Sequence, residues 1–455
     1  MNKLLISLLS ICTCIQLDAQ NTDSLVLRNF FNTALTEERA YKDLEPLCNR
    51  IGARLSGSVE AKKAVKYTTE ILKRAGADTV FLQPVMVPHW VRGDKEQGAV
   101  IVKDKKYELP VCALGGSVAT PGSGVVAEVV EVNGLSELKN LGKEKLNGKI
   151  VFFNRQMDPT KIHTFNAYGG AVDQRGGGAM EAAKYGALAV LVRSMTLRHN
   201  DSPHTGAMHY SDTIPKIPAA AISTNGADSL SKWLKKNQDL RFSLKMSCRN
   251  EKEEASFNVV AEIKGTEKPE EIIIAGGHLD SWDLGVGAQD DGAGCVQSIE
   301  AMRLFKKTGI KPKRTLRVVM FMNEEFGLRG GTKYAELAKE HHEKHVLALE
   351  SDGGGASPRG FSSEMSPEQL NKITSWKPLL EPYGLYDFSG SGGGADIGPL
   401  HTQGVPVMEL RTDSQRYFDV HHCALDTFES VNPRELELGA ASMAALMYLV
   451  SEHGL

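Results

Sequence analysis

The sequence predicts an α/β protein with a mixed, mostly parallel central sheet flanked by helices, and a second α/β domain inserted into it. Apolar runs without polar alternation are typical of strands buried on both faces, and three of them are EIIIAGGH (271–278), TLRVVMFMN (315–323) and HVLALESD (345–352). The helical pattern DDGAGCVQSIEAMRLFKK (290–307) separates the first two. Strands that alternate with helices favour a sheet covered on both sides.

The amino terminus has the pattern of a secretory signal peptide, residues 1–19. Lys3 supplies the positive start, Leu4 to Leu17 the short apolar run and Ala19 the small residue of a cleavage site. The run is too short for a transmembrane helix, and the residues before its two cysteines are poor for lipidation. We therefore expect export to the periplasm or the medium without a lipoprotein anchor.

The next segments alternate between helical and extended patterns. Residues 40–77 are predicted as helix, loop and helix, and residues 80–91 and 98–102 as strands. From about residue 122 to 248, the short apolar strands GVVAEVVEV, KIVFFN, ALAVLVRS and IPAAAIS alternate with two helix candidates. We therefore expect a main domain of residues 20–121 and 252–455, interrupted by an inserted domain of residues 122–251.

Composition excludes some functional classes. Hydrophobic residues make up 41% and charged residues 24% of the chain, as in ordinary soluble domains. A net charge of −3 gives no electrostatic footprint for nucleic acid or an anionic membrane. No segment after the signal approaches membrane-spanning length. The cysteines after the signal are scattered and odd in number, which favours buried small hydrophobes over a disulfide framework.

The first cluster of candidate site residues is GGHLDSWDLGVGAQDDGAG (276–294). His278 and Asp280 follow an apolar strand, at the edge where α/β sheets place ligands. Their two-residue spacing puts both on one side, so the Asp280 carboxylate can hold the second nitrogen of a metal-binding imidazole. Asp290 and Asp291 lie in a glycine-rich turn before a helix, where either one alone would most often be a helix cap.

Further polar residues follow the later strands. Glu324 and Glu325 end a strand, where adjacent like charges are costly unless a cation neutralises them; the alternative is an exposed loop pair. Asp352 ends another strand, and YFDVHHCALDT carries His422 beside His421, which we expect to be structural. The combined set suits two zinc ions bridged by one carboxylate.

These motifs resemble the zinc-dependent exopeptidases, the family that includes bacterial leucyl aminopeptidase. The resemblance covers almost all of the mature chain, including IGARLSGS, VPHWVRGD and all four polar clusters. SPHTGAMHY lies in the inserted unit, which resembles a protease-associated domain. The resemblance implies a zinc exopeptidase fold and two Zn²⁺ per chain, held by Asp290 as the bridge, by His278 and Asp352 on one ion, and by Glu325 and His422 on the other.

The resemblance also implies the chemistry. The expected reaction is hydrolysis of dipeptides or terminal residues of short peptides by a zinc-bridging water, with Glu324 as general base. Asp280 would orient His278, and the Asp290–Asp291 peptide bond would be cis. Tyr417 is a candidate for binding the oxyanion, with a packed tyrosine as the alternative. Asp396, in the glycine run SGSGGGADIG, is a candidate for binding substrate, with a plain flexible loop as the alternative.

Alternatives from other classes remain open at this point. One is a non-catalytic receptor or binding protein on the same scaffold, against which the intact ligand set and Glu324 argue. Another is a single-zinc glutaminyl cyclase, against which the inserted domain argues. The resemblance implies a homodimer. The sequence leaves open the disulfide pairing, the side-chain preference, cobalt or manganese in place of zinc, and the choice among aminopeptidase, carboxypeptidase and dipeptidase action.

Overall fold

The computed structural model describes residues 22–103, 105–236 and 240–455, and the expected signal peptide, 1–19, lies outside them. The helices of the described residues are α1 (22–37), α2 (Arg39–Pro46), α3 (Val59–Arg74), α4 (Leu135–Leu146), α5 (Thr164–Gly169), α6 (Asp173–Ala183), α7 (Thr224–Leu234), α8 (Ala293–Thr308), α9 (Arg329–Glu340), α10 (Pro367–Ser375), α11 (Lys377–Leu380), α12 (Gly398–His401) and α13 (Pro433–His453). Two π-helical turns are Leu47–Ile51 and Ala288–Gly292, and three 3₁₀ turns are Glu381–Tyr383, Ser414–Asp419 and Phe428–Ser430.

The strands of the described residues are β1 (Thr79–Val87), β2 (Trp90–Val91), β3 (Gln97–Val102), β4 (Lys105–Leu109), β5 (Val111–Ala113), β6 (Val125–Val132), β7 (Ile150–Phe153), β8 (Ala189–Arg193), β9 (Ala219–Ile222), β10 (Arg241–Lys245), β11 (Arg249–Asn250), β12 (Glu254–Ile263), β13 (Lys268–His278), β14 (Arg314–Phe321), β15 (Lys344–Glu350), β16 (Pro358–Glu364) and β17 (Val407–Thr412).

The main domain is built around a mixed sheet, which has seven strands within the described ranges. Their order is β1-β12-β14-β13-β15-β17-β16. The four inner strands β14, β13, β15 and β17 run parallel, and their outer neighbours are antiparallel to them. Because neighbouring parallel strands end at the same edge, the residues that follow β13, β14 and β15 lie close together.

Side chains of the central strands alternate between two hydrophobic cores. Ile273 and Ala275 of β13 pack with residues of α3, α8 and α13 on one face. Ile272 and Ile274 pack with residues of α9 and α12 on the other face. Burial on both faces explains why this strand has no polar alternation. The predicted mixed sheet flanked by helices is confirmed.

A second sheet has the order β4-β3-β10-β6-β7-β8-β9-β5 in the part of the chain that is described. Strands β6 to β9 are parallel and correspond to the four apolar runs expected between residues 124 and 223. The sheet also takes in β3, β4 and β5, which precede residue 122, so it extends beyond the expected range of 122–251. The reason is β10, which pairs with both β3 and β6 and thereby joins them.

Arg92, from the motif VPHWVRGD, connects the two domains. Its Nε and Nη2 atoms donate hydrogen bonds to the Asp283 carboxylate at 2.8 and 2.6 Å, and Nη1 donates to the Ala113 carbonyl at 2.8 Å. The backbone N–H of Thr205 donates to the carbonyl of His422 at 2.9 Å. The second domain therefore contacts the loops that carry predicted site residues.

Two expectations from composition concern the membrane and the thiols. In the described part of the chain, no helix is both long and apolar enough to cross a membrane. The cysteines there are free and buried. Burial raises the pKa of Cys48 to about 12, as is usual for a thiol that packs like a small hydrophobe.

Candidate metal centre

Neighbouring loops bring the predicted site residues together at the carboxyl edge of the main sheet. His278 is the last residue of β13, Glu324 and Glu325 follow β14, and Asp352 follows β15 by two residues. These three strands are adjacent and parallel. The convergence expected from the strand ends is therefore present.

Asp290 lies between two histidines and presents one carboxylate oxygen to each. Its Oδ1 is 3.1 Å from Nε2 of His278, and its Oδ2 is 3.1 Å from Nε2 of His422. His278 Nε2 also lies 3.2 Å from Oδ1 of Asp352, and His422 Nε2 lies 3.1 Å from Oε2 of Glu325. The five residues thus form two groups that share Asp290.

The donor atoms of these two groups fit zinc. Each group combines one imidazole nitrogen with carboxylate oxygens, which are ligand types that zinc takes in proteins. Two ligand atoms bound to one tetrahedral zinc at about 2.0–2.1 Å lie roughly 3.3 Å apart. The nitrogen–oxygen separations here are 3.1–3.2 Å. In the group of His278, Asp290 and Asp352 all three donor atoms lie within 4.8 Å of one another, as do donor atoms of Asp290, His421 and His422.

The electrostatics of the centre are those of buried charges in close contact. Burial, together with repulsion from Asp290, raises the pKa of Glu325 to about 7. Although burial opposes it, hydrogen bonds from His278 and His422 hold the pKa of Asp290 well below its ordinary value. Burial also opposes protonation of His422, yet Glu325 and Asp290 raise its pKa to about 10. Such a concentration of carboxylates favours a bound cation.

Asp280 orients two parts of the centre, by contacts that differ from the expected one. Its backbone carbonyl, at 3.0 Å, is the group that meets Nδ1 of His278, whereas its carboxylate Oδ1 is 3.9 Å from that nitrogen. Oδ1 instead accepts hydrogen bonds from the backbone N–H groups of Asn323 at 2.7 Å and Glu324 at 3.1 Å. The carboxylate therefore orients the turn that carries the paired glutamates.

Two further aspartates hold the loop that carries Asp290. The Asp290–Asp291 peptide bond is cis, as the family resemblance implied. Asp291 accepts hydrogen bonds from the backbone N–H groups of His278 at 3.1 Å and Gly294 at 2.9 Å, the latter in the first turn of α8. The Asp426 carboxylate accepts three, from the N–H groups of residues 288, 289 and 290. In the sequence, Asp426 lies in the same motif as His422, YFDVHHCALDT, but no role was predicted for it.

Glu324 is a half-buried carboxylate beside the two ligand groups. Burial raises its pKa well above the ordinary value, and the negative charges of Asp352 and Glu325 add to this effect while His278 opposes it. A carboxyl group whose pKa is raised by its surroundings is suited to accepting and returning a proton. The role of Glu324 as general base stays a prediction.

The two predicted substrate-binding residues lie in different surroundings. Tyr417 is buried, with its ring 5.3 Å from that of Phe165 and 5.2 Å from that of His421. Asp396 is fully buried, and its backbone N–H donates to Glu350 at 3.4 Å. Neither carboxylate oxygen of Asp396 has a hydrogen-bond partner among the described residues. The structure thus shows packing contacts for Tyr417, and substrate binding by either residue stays a prediction.

His421, which was expected to be structural, lies at the centre itself. Its ring stacks on that of His422 with centroids 3.5 Å apart and an interplanar angle of 19°. Its Nε2 atom is 3.6 Å from Oδ2 of Asp290. Burial and the neighbouring His422 lower its pKa well below the ordinary value, so the ring is neutral. The adjacent histidine pair was the available signal, but sequence alone could not show that both rings face Asp290.

Comparisons with known proteins agree with this geometry. Residues 258–447 match the family described as Peptidase family M28. Carboxypeptidase Q of Xenopus laevis is 39% identical over 416 residues, which cover 91% of this chain and 86% of the relative, and human carboxypeptidase Q is 37% identical over the same shares. The solved structure of a peptidase M28 precursor from Shewanella amazonensis SB2B has a TM-score of 0.90 at 35% identity and covers 95% of this chain and 97% of that one.

These matches show the family to which the chain belongs. The predicted resemblance to zinc-dependent exopeptidases is confirmed, and so is a resemblance of the motifs to carboxypeptidase Q, also called plasma glutamate carboxypeptidase. The expectation of an enzyme of the metallo-exopeptidase class is confirmed with them. The chain belongs to peptidase family M28.

Proposed function

We propose that this protein is a co-catalytic two-zinc exopeptidase that hydrolyses dipeptides or terminal residues of short peptides. The observation that carries the proposal is the position of Asp290, which presents Oδ1 to His278 and Oδ2 to His422, each at 3.1 Å. A carboxylate shared in this way between two ligand groups is the arrangement of a two-metal hydrolase. Asp352 and Glu325 complete the two groups.

In this proposal, His278, Asp290 and Asp352 hold one zinc, and Asp290, Glu325 and His422 hold the other. When bound, the zinc ions would lower the pKa of a water and polarise the scissile carbonyl. The Glu324 carboxylate accepts the proton of the attacking water and returns it to the leaving nitrogen as the C–N bond breaks. Asp280 keeps Glu324 in place through the hydrogen bond from the Glu324 backbone N–H, at 3.1 Å.

The test is a zinc count and a substrate panel on the purified mature protein. The panel contains unblocked, amino-blocked and carboxyl-blocked dipeptides, which show whether a free amino or carboxyl terminus is read. We expect about two zinc ions per chain and a loss of kcat of about 10²- to 10⁴-fold in Glu324→Gln with the zinc retained. Glu340→Gln, an exposed glutamate on α9, serves as the control and should leave turnover unchanged.

Two results would contradict the proposal. Zinc-loaded protein that hydrolyses nothing in the panel would favour a non-catalytic binding protein. Full activity with a single zinc would remove the bridging role of Asp290. A Glu324→Gln variant within about threefold of the parent would contradict the base assignment alone, because general bases contribute far more than that.

The proposal includes the organisation and location of the protein. Residues 20–121 and 252–455 would form the catalytic domain and residues 122–251 a protease-associated-like insertion, except that strands β3 to β5 pair into the sheet of the insertion. We further propose export with removal of residues 1–19, and a homodimer. Amino-terminal sequencing of the exported protein and light scattering of the purified protein test these two points.

A further inference from the structure

A polar cavity of about 480 Å³ lies beside the metal centre, and its lining has no assigned role. Gly353, which follows the predicted ligand Asp352, forms part of its wall. Glu409 and Arg411 of β17 line it together, since residues two apart on a strand point to the same side. Several serine and threonine side chains complete the lining. The cavity therefore offers charged and hydroxyl groups next to the loop that carries Asp352.

Arg411 brings unused N–H donors to this cavity. Within the described residues, its side chain makes no hydrogen bond, and its carboxylate neighbour Asp387 is 3.6 Å away. The oxygen that faces Arg411 is Oδ2, which forms this longer ion pair, while Asp387 Oδ1 accepts hydrogen bonds from the N–H and hydroxyl of Ser389 at 3.1 and 2.7 Å. The other charged group of the lining is the carboxylate of Glu409. The positively charged donors that Arg411 offers to the cavity are thus those of a guanidinium with a single, long ion pair.

The backbone at Gly390 passes directly against the guanidinium. A Cβ atom on Gly390 would lie 2.1 Å from Nη1 of Arg411, so only a glycine leaves room for the planar group there. The Arg411 side chain is 25% exposed and lines the cavity. A guanidinium presents a planar fork of donors, and its natural partner is a carboxylate bound by two parallel hydrogen bonds.

We propose that Arg411 binds a carboxylate of the peptide substrate in this cavity and so determines specificity. The carboxylate is either the free carboxyl terminus or an acidic side chain, and the two sources are separated by the test below. The inference rests on the proposed peptidase function, because it assigns a substrate group to the cavity beside that centre. It predicts a preference for acidic or carboxyl-terminal groups over large aliphatic ones at this subsite.

The experiment compares kcat and KM for three matched pairs of dipeptides. The pair of glutamyl-alanine and glutaminyl-alanine tests for recognition of an acidic side chain at the amino-terminal residue. The pair of alanyl-glutamate and alanyl-glutamine tests for an acidic side chain at the carboxyl-terminal residue. Alanyl-alanine against its amide tests the free carboxyl terminus. We expect the parent to prefer the carboxylate in one pair, which identifies the source. Arg411→Gln should lower kcat/KM for that carboxylate about 10- to 100-fold, mainly through KM, and leave its neutral partner within about twofold.

Two variants complete the design. Arg411→Lys keeps the charge without the fork and should recover only part of the preference. Arg359→Gln is the matched control, since that arginine, on the adjacent strand β16, already donates to Asp413 at 3.0 Å. The proposal is overturned if the parent shows no carboxylate preference in any pair, or if Arg411→Gln keeps the preference or slows all substrates equally.

A binding measurement separates this inference from the peptidase proposal. Calorimetric titration of the zinc-loaded Glu324→Gln protein with the same dipeptides reports affinity without turnover. Suppose that the parent hydrolyses nothing, yet the carboxylate dipeptide binds at least tenfold more tightly than its neutral partner, and that Arg411→Gln removes this difference. The peptidase proposal then fails and the Arg411 site stands. Equal binding of carboxylate and neutral partners overturns the Arg411 site whatever the activity.

Discussion

Single residues that are not expected to touch a metal determine whether the metal ligands are in place. Asp426 is such a residue: it accepts hydrogen bonds from the backbone N–H groups of Ala288 at 3.1 Å, Gln289 at 2.7 Å and Asp290 at 3.2 Å. Asp426→Asn replaces one acceptor with an N–H₂ group that faces those donors. We expect it to weaken zinc binding about 10- to 100-fold, as measured by competition with a chromophoric chelator.

The control for Asp426→Asn is Asp158→Asn. Asp158 also accepts a backbone hydrogen bond, from Thr160 at 2.9 Å, but it is exposed. Its substitution should leave zinc affinity unchanged. If Asp426→Asn binds zinc as tightly as the parent, the hydrogen bonds to the loop do not position Asp290.

At the same scale, the sequence predicted which residues converge better than it predicted the groups that support them. The convergence of His278, Glu325 and Asp352 could be predicted because each follows an apolar strand, and parallel strands share an edge. The support could not be read from spacing: Asp280 holds the imidazole by its carbonyl while its carboxylate holds the glutamate turn. The approach of His421 to Asp290 likewise depends on tertiary packing between two loops distant in sequence and not on a local sequence pattern.

At the scale of elements, the amino-terminal segment secures the loop between β13 and α8. Arg54, from the motif IGARLSGS, is fully buried. It donates hydrogen bonds to the carbonyls of Leu279 at 2.5 Å, Val286 at 2.7 Å and Gly287 at 2.9 Å. Arg54→Met would remove the donors of the Leu279 and Val286 carbonyls and leave the Gly287 carbonyl with only the N–H of Gly292. We expect a loss of roughly 2–5 kcal/mol in the free energy of unfolding, measured by urea titration of the zinc-loaded protein.

Arg50→Met is the matched comparison for Arg54. Its side chain is 75% exposed and reaches only Glu45, at 3.4 Å. A surface pair of this kind contributes little, so the urea midpoint should stay within experimental error of the parent. Equal midpoints for Arg54→Met and Arg50→Met would show that the loop does not depend on the buried guanidinium.

At the scale of the whole molecule, hydrophobic patterns predicted the fold class but not every sheet membership. The runs that became β6 to β9 and β13 to β15 were recognised because continuous apolar strands between helices indicate a buried, largely parallel sheet. Strands β3, β4 and β5 could not be assigned to the second sheet in advance. β3 pairs with β10 and β5 pairs with β9, each more than a hundred residues away in sequence. β4 joins the sheet through its neighbour β3.

The charges of the centre make the stability of the metal-free protein depend on pH. Burial raises the pKa of Glu325 to about 7 and that of Glu350 to about 8 in the folded state. At a pH between the pKa of an unfolded glutamate and these raised values, the folded state therefore binds more protons than the unfolded state. Although burial opposes it, Glu325 raises the pKa of His422 to about 10, and the stability this adds is lost as pH rises towards 10. All three shifts have the same sign: the chelated protein should become less stable from pH 6 to pH 9.

Bound zinc should reverse this dependence, because the ions would replace the protons that hold the buried carboxylates together. Metal binding requires deprotonated ligands, so its contribution to stability grows as pH rises, and each site adds about 4 kcal/mol when free zinc is a thousandfold above Kd. Urea titrations of zinc-loaded and chelated protein between pH 6 and pH 9 should therefore give midpoints that diverge as pH rises. Midpoints that converge towards pH 9, or a chelated protein that gains stability over this range, would show that Glu325 and His422 are not coupled to folding through a shared metal.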